Sequence, residues 1–177
     1  MKRTNEILED HGDWLLVDIS TPKFPDATMA VDKDVFDAYE GGRISAKGTF
    51  GHNNYIYASC LINRIPRYFH RLVVGRDGVE VDHIQHGTMS FVDNRRINLR
   101  HATKSQNRMN SRLRKDSGSG ITGVHWHKKT GQWMAYISVE GKIVHLGRFD
   151  NVEFAIGARQ QAEREYFGEY AFNAENA

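Results

Sequence analysis

Apolar residues in this chain come in short runs that Gly, Asn and Pro interrupt, and no run approaches the roughly 18 residues that would span a bilayer. Over residues 13–74, the runs at 14–19, 43–46, 55–61 and 68–74 are long enough only for short strands. This region is expected to form several short antiparallel strands, with a helical turn at 32–39. After the turn signal Gly75-Arg76-Asp77-Gly78, residues 79–84 read as a strand and 85–94 as a loop. Thr103-Lys104-Ser105-Gln106 has capping-box form and predicts a polar helix over 104–113. Ser117-Gly118-Ser119-Gly120 then has the composition of a flexible linker.

Beyond the linker, 123–127, 133–139 and 143–149 read as three strands joined by turn-rich segments. Asp150-Asn151-Val152-Glu153 is a second capping box, opening a helix to Phe167 with Ala155, Ala158, Ala162 and Tyr166 on one face. Phe149, Phe154 and Tyr166 are expected in the core, and Trp126 and Trp133 are read as core or turn-packing residues. The expected class is α+β. It comprises an N-terminal β-rich region at 1–67, a central segment at 68–115, a linker at 116–120 and a three-stranded antiparallel sheet plus helix at 121–172.

A formal net charge of +2 conceals a sharp asymmetry. Residues 1–60 carry 6 Lys+Arg against 10 Asp+Glu, residues 61–115 carry 12 against 4, and residues 116–177 carry 6 against 8. Most of the central cations are Arg, whose planar fork matches phosphate. A basic centre in an otherwise acidic chain points to a polyanion partner, although charge alone is equally met by a solvated face. The lone Cys60 excludes an internal disulfide or a Cys-based zinc site, and the start of the chain leads into no apolar signal-type segment. A reducing cytosol is therefore the expected location.

The central segment also carries a chemical constellation. Asp82-His83 end a predicted strand, Asn98 follows fifteen residues after His83, and Asn107 follows nine later on the predicted helix. Cutting a phosphodiester requires a base for the attacking water and positive charge against the phosphorane and the leaving oxygen. Histidine titrates in the range needed for the base. Asp and Asn oxygens are hard donors suited to magnesium or manganese, and a further polar side chain can hold the imidazole in one tautomer.

Asp82-His83, Asn98 and Asn107, with His70-Arg71-Leu72 upstream and Asp93-Asn94-Arg95-Arg96-Ile97-Asn98-Leu99-Arg100 between, resemble the HNH family, nearest to its phage and intron-encoded homing-type branch. The resemblance spans about residues 68–112. It implies a ββα-metal nuclease in which His83 is the general base, Asp82 and Asn107 hold the divalent metal, and Asn98 bridges the loop and orients His83. Many relatives have His at the last position. Asn107 there implies magnesium or manganese in preference to zinc. The implied reaction is hydrolysis of double-stranded DNA, leaving 5′-phosphate and 3′-hydroxyl ends, with one strand nicked per site; a monomer is expected, and a double-strand break needs a dimer or two sequential cuts. Arg71, Arg95, Arg96, Arg100, Arg108, Arg112 and Arg114 are the expected phosphate contacts.

A second resemblance covers about residues 120–168. Gly123-Val124-His125-Trp126, Thr130-Gly131-Gln132-Trp133-Met134-Ala135 and His145-Leu146-Gly147-Arg148-Phe149-Asp150 resemble the APETALA-type (ethylene-response-factor) DNA-binding domain. That family lays a three-stranded sheet in the major groove with its helix behind. The implied DNA-facing residues here are His125, His127, Tyr136, Ser138 and His145. Two rival readings are a non-catalytic DNA-binding regulator with a decayed nuclease centre, and a nonspecific defence nuclease.

Overall fold

The computed structural model describes residues 5–48, 55–74, 80–109 and 118–171. It is a mixed α+β protein of several small sheets in two compact units, the first ending at Lys104 and the second over Ser105–Phe172.

In the first unit, β1 (Ile7–Asp10), β2 (Trp14–Asp18) and β3 (Thr28–Asp32) form an antiparallel run. In β2, Leu15 and Val17 alternate inward. In β3, Met29, Ala30 and Val31 are all buried, the pattern of a strand covered on both faces. After α1 (Lys33–Ala38), β4 (Ser45–Gly48), β5 (Ile56–Ile62) and β6 (Ile65–Tyr68) make an antiparallel meander. The β5–β6 turn places Asn63 at φ 52 and Arg64 at φ 65, the two left-handed positions that a two-residue hairpin requires. Next come α2 (Phe69–Val73), β7 (Glu80–His83), β8 (Phe91–Asp93), a 3-10 turn at Arg96–Asn98 and β9 (Leu99–Ala102). β7 and β9 pair antiparallel, and β8 adds to the first sheet in parallel beside β3. Leu15, Ile19, Met29, Phe36, Ile44, Ile56 and Phe69 lie at the heart of one continuous apolar core.

Two sequence expectations change here. Residues 68–74 do not form a strand: β6 ends at Tyr68, and Phe69, His70 and Val73 turn inward at helical spacing on α2. Residues 85–94 are not wholly loop, because Phe91–Asp93 is recruited by β3, a partner too remote in sequence to be inferred locally. β1 and β3 were not anticipated either. The boundary drawn after residue 67 falls inside β6.

Helix α3 (Lys104–Met109) begins at the last residue of the first unit and carries the chain into the second. There β10 (Val124–His127), β11 (Gln132–Val139) and β12 (Lys142–Phe149) form an antiparallel meander backed by α4 (Val152–Phe167). Gly123 precedes the sheet at φ +83, where an added Cβ would fall 2.2 Å from the Tyr136 carbonyl oxygen, so only glycine fits.

The cap of α4 is Asn151 rather than Asp150: the Asn151 side chain accepts from the Glu153 N–H at 2.8 Å. The helix buries Ala155, Arg159, Ala162 and Phe167. Phe154 (69% exposed) and Tyr166 (43%) face outward, contrary to expectation, while Phe149 and Trp133 pack against the core. Trp126 is 46% exposed and meets Trp133 edge-on. Among the described residues no helix is long and apolar enough to cross a membrane.

Candidate active site

The β7–β9 ladder sets Asp82 opposite Arg100 and His83 opposite Leu99. Val81, Asp82 and His83 are all buried. The Asp82 carboxylate, 2% exposed, accepts on Oδ2 from Arg100 Nε at 2.9 Å and Nη2 at 2.7 Å. Two donors on one carboxylate oxygen offset part of the cost of burying its charge.

His83 Nε2 lies 2.8 Å from Asn94 Oδ1. Asn94 directly follows β8, is fully buried and donates its backbone N–H to the Ala30 carbonyl at 2.9 Å. Asn98 works on the intervening loop. Its Oδ1 accepts from the Gln85 N–H at 2.8 Å, and its Nδ2 donates to the carbonyls of Gln85 at 3.0 Å and Asp93 at 2.9 Å. The Asn98 carbonyl accepts from the Ile84 N–H at 2.9 Å. Asn98 thus bridges the loop, and Asn94 is a hydrogen-bond partner of the His83 ring.

A second imidazole stands beside the first. The His70 ring on α2 is 4.8 Å from that of His83 at 70°, with Tyr57 and Tyr68 packed around the pair. His70 is 4% exposed, and its Nδ1 has no partner among the described residues. Burial, helped by the neighbouring His83 and the Arg71 charge, pushes its pKa down to about 3, so this ring is neutral at physiological pH. Burial also lowers the pKa of His83, against the opposing pull of the Asn94 bond and the Asp82 and Asp93 charges. Burial, with the Tyr55 hydroxyl next, raises that of Tyr57.

Several arginines expected at phosphates meet carboxylates. Arg95 is bidentate with Asp93 at 2.9 and 2.6 Å and lies 4.7 Å over the Trp14 ring. Arg96 is bidentate with Asp34 at 2.9 and 2.8 Å. Arg71 reaches Glu80 at 3.4 Å. The Arg100 side chain is only 13% exposed beside Asp82. Arg108 stands on α3, and Arg112 and Arg114 lie outside the described residues. Asn107 is on α3 within the second unit, so the four residues read as one set from the sequence do not belong to a single unit.

In the second unit, Val124, Ala135 and Ile137 turn toward α4. Alternation therefore puts His125, His127, Tyr136, Ser138 and His145 together on the opposite face. Tyr136 is directly paired with His145 and meets the His125 ring edge-on. Register adds exposed Arg148, opposite Met134, to this face. Arg148 went unchosen in the sequence, although its place in the third strand was legible. Asn94 was missed for a different reason: its role depends on 91–93 being a strand.

Comparison with family models, curated proteins and solved structures returned no match.

Proposed function

We propose that this protein is a metal-dependent DNA endonuclease whose chemistry resides at His83 and Asp82. The observation that carries the reading is the pairing of a buried carboxylate and a ring-anchored, neutral imidazole at consecutive positions of β7, beside a loop closed by Asn98. A histidine held neutral is ready to take a proton from water, and its fixed ring spares the reaction the cost of orienting a base. Asn98 keeps the β7 end and the β8 end at a constant separation. Asn94 keeps the imidazole from rotating.

Among the described residues no three His, Cys, Asp or Glu side chains converge. Magnesium-type ions do not require such a cluster, because one or two protein oxygens suffice when water and phosphate complete the shell. The hard oxygen donors of the Asp82 carboxylate fit magnesium or manganese better than zinc. When bound, the ion supplies positive charge against the phosphate. Substrate would be double-stranded DNA, cut one strand at a time by a monomer, with the outer sheet face of the second unit as a further DNA contact.

In a plasmid-nicking assay with magnesium or manganese, His83→Ala should cut roughly 10²- to 10⁴-fold more slowly while DNA binding is kept. Wild-type protein that cuts no DNA with either metal would sink the proposal. One observation favours a second reading, a non-catalytic DNA-binding regulator: Asp82 is already neutralised by Arg100. That reading predicts DNA binding without metal-dependent cutting.

A further inference from the structure

We propose that Asn94 and Met29 together fix the tautomer of His83, with the hydrogen on Nε2 and the ring lone pair on Nδ1. The expected effect on nicking rests on the nuclease reading. The tautomer itself does not.

An Asn side chain has one end that only accepts and one that only donates. Asn94 Nδ2 lies 3.2 Å from Met29 Sδ. A thioether sulfur has no hydrogen to give, so it can meet only the donating end. Reversing the amide would set carbonyl lone pairs against sulfur lone pairs. The accepting end therefore faces His83, where Oδ1 stands 2.8 Å from Nε2. A carbonyl oxygen at that distance needs a hydrogen from its partner, and in a neutral imidazole this fixes the lone pair on Nδ1.

The lever is rigid. Met29 and Ala30 are consecutive on β3: the first orients the Asn94 side chain and the second accepts from its backbone N–H at 2.9 Å. Both sit in the parallel β3–β8 pairing, in which Met29 is opposite Val92 and Ala30 opposite Asp93. Asn94 is fully buried, so water does not compete for either end of the amide. The His70 ring packs edge-on against His83 and holds its plane.

The test is a long-range ¹H–¹⁵N correlation on the full chain labelled at histidine, recorded without metal or DNA. Wild type should show a pyrrole-like Nε2 and a pyridine-like Nδ1 for His83. The reverse pattern would overturn the proposal. Asn94→Leu, which removes the acceptor, should convert His83 to a mixture or to the Nδ1–H form. Asn94→Asp keeps an acceptor and should keep the wild-type pattern. Met29→Leu keeps Asn94 but removes the sulfur, and it should raise the Nδ1–H fraction. It decides the matter if Asn94→Leu does not fold. An unchanged His83 pattern in Asn94→Leu and Met29→Leu would refute the lock.

In nicking assays Asn94→Leu should lower kcat by about 10- to 100-fold with KM for DNA nearly unchanged, the usual scale for a residue that orients a reacting group. The two readings fail separately. An Nε2–H wild type that never nicks ends the nuclease reading and leaves the lock. A wild type that nicks while carrying Nδ1–H does the opposite.

Discussion

Both units bury a guanidinium near a carboxylate, and they do so differently. In the first, Arg100 delivers two well-aligned hydrogen bonds to Asp82, inside a broad apolar core. In the second, Arg159 on α4 is 4% exposed, and its Nη1 sits 2.9 Å from Glu163 Oε1, one turn on. Yet neither that Nη1 nor Nε makes an aligned hydrogen bond, and the guanidinium rests 5.4 Å over the Phe167 ring. The apolar residues of this unit fall into two small clusters that share Leu146, one around Val124, Ala135 and Ala155 and the other around Ile137, Ala162 and Phe167. A large core can host an aligned charge pair as part of a site. A helix-on-sheet layer here sets its buried charge against an aromatic ring.

The largest expected difference comes from breaking each pair. Arg100→Met removes two hydrogen bonds and the opposite charge from the buried Asp82 carboxylate, and should cost about 3–5 kcal/mol in urea denaturation. Arg159→Met removes a poorly satisfied charge and keeps most of the apolar stem, so its cost should stay within about 1 kcal/mol. Equal losses in the two variants would erase the contrast.

Acid should next separate the units. His70 titrates near 3 when folded and near 6.5 when unfolded, so between those values only the unfolded chain takes the proton. The first unit should therefore lose stability as pH falls from about 6.5 toward 3, by up to about 1.4 kcal/mol per pH unit. His70→Phe should flatten that slope in denaturation curves recorded across the range.

The second unit should show a smaller effect of opposite sign. Burial raises the Glu163 pKa above its ordinary value, with Arg159 opposing. The folded form then holds the proton more tightly, a contribution present below about pH 4.5 and lost as pH rises through the folded value. Glu163→Gln should abolish that dependence. A variant whose pH profile matches wild type would show that Glu163 is solvated.

The second unit was the more legible in sequence. Its three strands and long helix fall within a residue or so of the alternating runs, because short hairpins make the pattern local. What hid the inner face of α4 was Arg159, a charge standing where an apolar stripe is sought. In the first unit, Asp82, His83 and Asn98 were legible as polar residues at telling intervals. The Asn94 contact was not, since it depends on β3 and β8 meeting from opposite ends of the unit. The Tyr68–His70 stretch misled because a short apolar run fits strand and helix equally well.

That β3–β8 pairing also bears on how the chain could be dissected or assembled. The strand that leads into Asn94 is the edge of the β1-β2-β3-β8 sheet and lies beside Thr28–Asp32, with Thr28 pairing with Phe91. A fragment starting near residue 68 would keep Asp82, His83, Asn94 and Asn98 but lose Met29 and the strand against which β8 is zipped. The centre is therefore no transplantable cassette. During folding, its geometry must wait for a contact closed across most of the unit, the kind of nonlocal step that slows folding and binds the fate of the N-terminal strands to that of the site.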